Sequence, residues 1–152
     1  MQIPPFELER YFARYEFSAR YLLSSSDCEA MAMQDLMDRA DDDTRALWNG
    51  LTLGYTESPG HPLLREAIAG LYDGLSVEDT LVITPEEGIF LGLQALLKPG
   101  DHVVATFPGY QSLYEIPRAL GCRVDFWKPA EEQEWQFRLE DLEALLNPDT
   151  RA

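Results

Sequence analysis

Short apolar stretches alternate with amphipathic segments in the second half of the sequence, and this alternation constrains the fold more than any other feature. Three stretches have the length and composition of buried strands: 81–83, 103–105 and 122–127. Segments with apolar residues at helical spacing follow them, at 86–97, 110–120 and 139–146. Strands joined by helices through short connections lie parallel, with right-handed crossovers. The sequence therefore predicts an α/β fold, a partial three-layer α/β/α domain with a mainly parallel sheet.

Helical patterns precede this alternation. Apolar and aromatic residues at helical spacing predict three helices, at 6–23, at 29–39 and from the Asp41-Asp42-Asp43 run through Trp48. The serine run 24–26 separates the first two, and Asp27 or a neighbour is expected to cap the second. The first part of the chain is therefore predicted to be helical.

A glycine- and proline-rich loop at 52–61 connects the two halves. Pro62 then opens a helix that extends to Tyr72, because proline is well tolerated in the first turn. We expect a helical N-terminal segment at 1–50, followed at 51–152 by the first part of a larger α/β domain. Three strands would leave parallel edges uncovered, which folded α/β proteins rarely tolerate, so this domain is expected to be incomplete.

The chain is strongly acidic. It has 27 Asp and Glu residues against 12 Lys and Arg residues, a formal net charge of −15. Such a charge repels nucleic acids and anionic membrane surfaces. The longest apolar run, 88–97, is about half the roughly 20 residues that span a bilayer, and the N-terminus lacks the pattern of a signal peptide. We expect a cytoplasmic protein without nucleic-acid or membrane partners.

The sequence offers little for metal binding or disulfide bonding. Cys28 and Cys122 are isolated, and neither forms a metal-ligand spacing with His61 or His102. We therefore expect no metal site and no disulfide framework.

Two loops lie where ligands bind in open α/β sheets, at the carboxyl ends of predicted strands. The first is Thr84-Pro85-Glu86-Glu87. It fits a capping box, with Thr84 as N-cap, Pro85 in the first helical position and Glu87 reaching back to the Thr84 N–H. The N-terminus of the following helix could equally hold an anion such as a phosphate. Both interpretations remain open from the residues alone.

The second loop is TFPGYQSLY at 106–114. Pro108 favours an extended Phe107, and Gly109 permits a sharp turn that presents Tyr110 at the end of the strand. An aromatic ring there either stacks on a flat ligand or packs into the core. The pattern does not decide between the two.

Several segments resemble the N-terminal part of class I/II aminotransferases, which are pyridoxal-phosphate enzymes of the aspartate aminotransferase fold type. The resemblance is carried by GYTESPGHPLLREAIAGLY at 54–72, EGIFLGLQALLKPGDHVVATFPGYQSLYEIPRALGC at 87–122 and LEDLEALL at 139–146. It implies a homodimeric enzyme that transfers an amino group between an amino acid and a keto acid. The identity of that amino acid is not implied.

The resemblance also implies which residues bind the cofactor. The pyridoxal 5'-phosphate group is expected at Thr84, Pro85 and Glu86, and the pyridine ring is expected to stack on Tyr110. Tyr55 is expected to reach the phosphate in the neighbouring subunit. Pro85 has no N–H to donate, and at about 5 Å and an effective dielectric near 20 the Glu86 carboxylate opposes each phosphate charge by roughly 3 kcal/mol. The resemblance therefore implies a weaker phosphate site than is usual in the family.

The family's chemistry requires a lysine that forms a Schiff base with the cofactor. The sequence contains only Lys98, in a turn, and Lys128, after a strand, and neither matches the family's lysine motif. We assign no catalytic residue and expect a chain that is truncated before the lysine and inactive in isolation. The alternative is a non-catalytic or partner-dependent module of the same fold.

Overall fold

Two parallel strands form the centre of the fold. The computed structural model describes residues 2–25 and 27–152. Its strands are β1 (His102–Thr106) and β2 (Arg123–Trp127), paired in parallel from His102 with Arg123 to Thr106 with Trp127. The described helices are α1 (Glu7–Tyr15), α2 (Met33–Arg39), α3 (Asp42–Asn49), α4 (Pro62–Ala69), α5 (Pro85–Leu96), α6 (Ser112–Ala119) and α7 (Leu139–Leu145). Short 3-10 helices occur at Val77–Asp79 and Glu131–Gln133.

The chain divides into two compact units. One contains Met1–Arg14 and Ile83–Ala152, and the other contains Tyr15–Val82. The first unit holds the sheet, α1 and α5 to α7, and the second unit holds α2 to α4. The partial α/β architecture predicted from the sequence is confirmed by the first unit.

The C-terminal residues extend the hydrogen bonding on the free side of β1. The N–H of Arg151 donates to the His102 carbonyl at 2.8 Å, and the N–H of Val104 donates to the Ala152 carbonyl at 2.9 Å. His102 and Thr150 form an isolated parallel bridge. Both sides of β1 therefore have backbone partners, which explains why β1 contains the most deeply buried residues of the sheet.

A small apolar core lies where α5 meets the sheet. Leu97, Val103 and Cys122 are buried together, and three partly buried side chains pack against them: Leu93, Leu120 and Val124. Burial raises the pKa of the Cys122 thiol, and the charge of Asp101 raises it further. The thiol therefore stays protonated and acts as a small apolar group.

His102 is the most notable polar residue of this core, since it is only 1% exposed. Its Nδ1 lies 2.8 Å from the Thr150 hydroxyl and 3.0 Å from the Asn147 side-chain nitrogen. Its Nε2 lies 3.1 Å from Oδ2 of Asp125. Because the Asn147 nitrogen can only donate, these contacts assign the proton to Nε2. The imidazole thus joins β1, β2 and the C-terminal turn.

We predict that His102→Ala lowers the free energy of unfolding by about 2–3 kcal/mol, because it opens a cavity and removes the side-chain hydrogen bonds that join β1, β2 and the C-terminal turn. Urea denaturation followed by circular dichroism measures this change. His61→Ala is the control, because His61 is exposed and its loss should cost less than about 0.5 kcal/mol. Equal effects of the two substitutions would contradict the assigned role of His102.

The predicted strand at 81–83 is wrong, since these residues belong to neither strand. The N–H of Val82 donates to the carbonyl of Pro59, a loop residue, at 2.9 Å. An apolar triplet alone does not determine whether a backbone pairs with a strand or with a loop. Here the loop supplies the partner.

Helix boundaries also differ from those predicted. Helix α1 ends at Tyr15 instead of residue 23, and the apolar side chains of Phe17 and Leu23 beyond it are almost fully exposed. Without packing, a short helical pattern is not sustained. Helix α2 begins at Met33, with Ala32 rather than Asp27 at its N-cap. The serine loop is confirmed at Ser24 and Ser25, which lie outside the helices, whereas Ser26 lies outside the described residues.

Two predicted helix starts are confirmed. Asp41 caps α3 by accepting a hydrogen bond from the Thr44 N–H at 2.8 Å, and this bond is the main reason that the pKa of Asp41 is lowered. Pro62 occupies the first turn of α4.

Within the described part of the chain, no helix is long and apolar enough to cross a membrane, and no cluster of three or more potential ligands could hold a metal ion.

Gly60 packs closely against Val82, and its backbone adopts a conformation that other residues rarely adopt. Its φ is +109°, and a Cβ at this position would lie 2.6 Å from Val82 Cβ. We predict that Gly60→Ala lowers the free energy of unfolding by about 2 kcal/mol or more, measured by urea denaturation.

The matched control for this prediction is Gly92→Ala, in the interior of α5, where an added Cβ meets nothing within 4 Å. This substitution should increase stability by about 0.5–1 kcal/mol, because alanine favours a helix. A neutral Gly60→Ala variant would contradict the packing described here.

Candidate functional site

The loop after β1 presents Tyr110 at the carboxyl end of the sheet. The Phe107–Pro108 peptide bond is cis, and a Cβ on Gly109 would lie 2.5 Å from the Thr106 carbonyl oxygen. Only glycine therefore fits this turn without a shift of the backbone. The Tyr110 side chain is 44% exposed, so its ring is available to a ligand.

The N-terminus of α5 belongs to the same unit. Thr84 is the N-cap residue and Pro85 occupies the first turn, as predicted. The predicted capping box is wrong in detail, because the Thr84 side chain accepts no hydrogen bond from the helix. Instead, the Thr84 hydroxyl donates to Oε2 of Glu87 at 3.1 Å. Because the Thr84 hydroxyl bonds to Glu87, Thr84 does not accept a hydrogen bond from any N–H group of the first helical turn.

Glu86 connects α5 to Tyr110. The pKa of Tyr110 is raised, first by burial, then by the negative charge of Glu86 and a hydrogen bond to its carboxylate, and last by the charge of Glu9. The other part of the carboxylate, Oε2 of Glu86, is buried and has no hydrogen-bond partner among the described residues. The Tyr110 hydroxyl thus stays protonated beside the negative charge of Glu86.

The predicted site residues are divided between the two units. Thr84, Pro85, Glu86 and Tyr110 lie in the first unit, where the charge of Glu86 helps to raise the pKa of Tyr110. Tyr55 lies in the second unit, and its side chain is fully exposed. Its expected reach toward a neighbouring subunit stays a prediction.

An aromatic cluster lies at the same end of the sheet, and the sequence analysis did not predict it. The rings of Phe107, Tyr114 and Phe126 pack with centroid distances of 4.6 to 5.9 Å. Two cations lie over these rings: the Arg118 guanidinium is 5.0 Å from the centroid of Phe126, and the Lys128 ammonium is 5.3 Å from that of Phe107. The signal available in the sequence was the presence of aromatic residues near the carboxyl ends of β1 and β2.

Gln111 attaches the N-terminal segment to the Tyr110 loop. Its side-chain oxygen accepts from the Glu7 N–H at 2.9 Å, and its amide nitrogen donates to the Pro5 carbonyl at 3.3 Å. Both contacts span more than 100 residues of sequence. No local pattern could have indicated them. They place the start of α1 beside the candidate site.

The start of α5 does not fit a phosphate group. Pro85 has no N–H, and the Thr84 hydroxyl is engaged by Glu87. The backbone N–H groups of residues 86 and 87 have no acceptor within the helix, but the Glu86 carboxylate extends from the same turn. A phosphate here would meet a carboxylate with one buried, unpartnered oxygen. The exposed face of Tyr110, in contrast, suits an aromatic ring.

The fold is that of a known family. A sequence model of the family "Aminotransferase class I and II" matches residues 21–152, and the chain belongs to this family. The resemblance inferred from the sequence is confirmed. Tyrosine aminotransferase from Bos taurus is 27% identical over 110 residues, which are 69% of this chain and 25% of that protein. Aspartate/prephenate aminotransferase from Thermus thermophilus is 34% identical over 114 residues, 71% of this chain and 29% of that protein.

Solved structures agree with this assignment. A PLP-dependent aminotransferase from Streptococcus suis superposes with a TM-score of 0.82 and 32% identity over 99% of this chain. The PLP-dependent cyclase OrfR gives a TM-score of 0.76 and 27% identity, also over 99%. The chain covers 41% and 39% of these structures and about a quarter of the curated relatives named above.

We predict that Glu86→Gln lowers the pKa of Tyr110 toward the usual value of a tyrosine, because it removes the negative charge that opposes ionisation of the phenol. Titration of ¹³C-labelled tyrosine side chains by NMR, with Tyr110→Phe to assign the signal, measures this change. Glu115→Gln is the charge-matched control, since Glu115 pairs with Arg118 instead. An unchanged Tyr110 titration in the Glu86 variant would contradict the contact.

Proposed function

We propose that this chain is the cofactor-side portion of a pyridoxal-phosphate-dependent aminotransferase, which transfers an amino group between an amino acid and a keto acid. Membership of the family supports the reaction class. The observation that carries the proposal is the position of Tyr110, which is half-exposed in the loop that follows the carboxyl end of β1. Ligands of open α/β folds bind at this end of the sheet.

We assign the site residues as follows. Tyr110 offers its ring to the pyridine ring of the cofactor. Thr84, Pro85 and Glu86 border the place that the phosphate takes in the family, and Tyr55 contributes to the corresponding place in the other subunit of a homodimer. Because the start of α5 offers few hydrogen-bond donors, tight binding of the phosphate requires groups outside the described residues. The proposed location is the cytoplasm, and residues 51–152 form the first part of the large domain.

The positions of Lys98 and Lys128 support the proposal that these 152 residues alone do not catalyse amino transfer. Lys98 precedes β1 and so lies toward the amino end of the sheet, opposite Tyr110. Lys128 follows β2 at the carboxyl end, but its ammonium lies over the rings of Phe107 and Phe126, 5.3 and 5.5 Å from their centroids. The Lys128 side chain is therefore packed on the aromatic cluster and not presented to a ligand as a nucleophile.

A non-catalytic module of the same fold is the second candidate. The specific observation in its favour is the start of α5, where a proline and a carboxylate replace the donors that a phosphate requires. Such a module would retain the fold and lack amino transfer.

Amino transfer by the complete product of the gene separates the two functions. The protein is incubated with pyridoxal phosphate, a keto acid and a panel of ¹⁵N-labelled amino acids, and label in the new amino acid is measured by mass spectrometry. We expect transfer from at least one donor. No transfer from any donor, by a folded protein at saturating cofactor, would support the non-catalytic module.

The 152-residue chain itself should give no stoichiometric borohydride-trapped adduct with pyridoxal phosphate. Peptide mapping of the reduced protein locates any adduct at Lys98 or Lys128, and Lys128→Arg is the charge-preserving control. One adduct per chain at Lys128, lost in the control and accompanied by turnover, would overturn this prediction.

A further inference from the structure

We propose that Gln111 is a positioning residue for Tyr110. Its side chain fastens residues 3–12, which we call the N-terminal brace, to the loop that carries the tyrosine, and the docked brace keeps the Tyr110 ring in the orientation that a ligand meets. The inference rests on the proposed function only for the claim that Tyr110 binds the ring of a ligand.

The first support is the pair of hydrogen bonds that the Gln111 carboxamide makes. Its oxygen accepts from the Glu7 N–H at 2.9 Å, and its nitrogen donates to the Pro5 carbonyl at 3.3 Å. Glu7 is the first residue of α1, so its N–H has no acceptor within the helix. Gln111 therefore caps α1 across 104 residues of sequence. Because a carboxamide has separate donor and acceptor atoms, neither a carboxylate nor an alkyl chain could make both bonds.

The second support is the shallow burial of the brace. No residue of α1 is buried. Within residues 3–12, Ile3, Phe6 and Phe12 are half-buried and the other side chains are exposed. The brace nevertheless belongs to the unit that contains the sheet, whereas the chain from Tyr15 to Val82 belongs to the other unit. A segment with few buried side chains opens locally at a small cost in free energy, so the hydrogen bonds of Gln111 matter to its docking.

The third support is the place of Gln111 in the chain. It directly follows Tyr110 and is the N-cap residue of α6, yet its side chain makes no capping bond to that helix. The Tyr110 carbonyl accepts from the Leu113 N–H at 3.1 Å, and a Cβ on Gly109 would lie 2.5 Å from the Thr106 carbonyl oxygen. The backbone of Tyr110 is thus held between a tight turn and a helix start. A movement of the brace acts on the residue next to the ring.

Hydrogen exchange followed by NMR in the full 152-residue chain tests the docking of the brace without any ligand. Gln111→Met keeps the length of the side chain and removes both hydrogen bonds. We expect the Glu7 amide to exchange about tenfold faster in this variant, because the brace opens more often. Gln111→Glu keeps an acceptor for the Glu7 N–H and loses the donor to Pro5, so its exchange should lie between the two. Gln94→Met, at an exposed position of α5, is the matched control and should exchange like the unaltered protein.

The ring signals of Tyr110 test the positioning itself. In protein with ¹³C-labelled tyrosine, assigned with Tyr110→Phe, we expect these signals to shift and broaden in Gln111→Met, less in Gln111→Glu and not in Gln94→Met. Pyridoxine, which carries a pyridine ring but neither an aldehyde nor a phosphate, is then titrated against the same signals. Gln111→Met should bind it about three- to tenfold more weakly, because the tyrosine has to be ordered on binding. Circular dichroism verifies that each variant is folded.

Three results would overturn the inference. The first is unchanged Glu7 exchange in Gln111→Met, and the second is equal changes in Gln111→Met and Gln94→Met. The third is faster Glu7 exchange without any change at Tyr110, since the brace would then not position the ring. If pyridoxine leaves the Tyr110 signals of the unaltered protein unchanged, the proposed function fails, whereas the exchange rates and the ring signals still decide the role of Gln111.

Discussion

The hydrogen bonds of His102 hold together the part of the molecule on which the candidate site depends. One imidazole contacts Asp125 on β2 and, through its other nitrogen, Asn147 and Thr150 in the C-terminal turn. The backbone of the same residue continues this pairing, since its carbonyl accepts from Arg151. A buried imidazole with every nitrogen satisfied fixes the order of three segments, whereas apolar packing alone would tolerate slippage between them.

The position of the sheet determines what lies at its carboxyl end. Because β1 ends at Thr106, the tight turn at Gly109 places Tyr110 beside the start of α5, and Gln111 brings in the N-terminal segment. The N-terminal segment therefore lies beside a loop that is more than 100 residues away in the sequence. The charges that act on Tyr110 are those of carboxylates, whereas the cations Arg118 and Lys128 lie over the aromatic cluster.

The sequence was sufficient wherever a local rule decides the structure. The helical spacing of α5, the start of α3 at the Asp41–Asp43 run and the Gly109 turn all depend on neighbours within a few residues. The sequence was insufficient where the hydrogen-bond partner of a residue lies far away in the chain. Residues 81–83 were assigned to a strand because apolar triplets commonly form one, yet Val82 bonds to Pro59. The Gln111–Glu7 hydrogen bond joins residues far apart in sequence, and no periodicity encodes it.

A crystal structure of the protein with pyridoxal phosphate at saturating concentration tests the central claim most directly. The claim is that Tyr110 provides the ring-binding surface while the start of α5, with Pro85 in its first turn and the Thr84 hydroxyl bonded to Glu87, does not hold the phosphate. The predicted result is a pyridine ring stacked on Tyr110, with no phosphate oxygen within hydrogen-bond distance of the backbone N–H groups of residues 86 and 87. A phosphate bound at those N–H groups with the Glu86 side chain displaced, or a ring bound away from Tyr110, would contradict it.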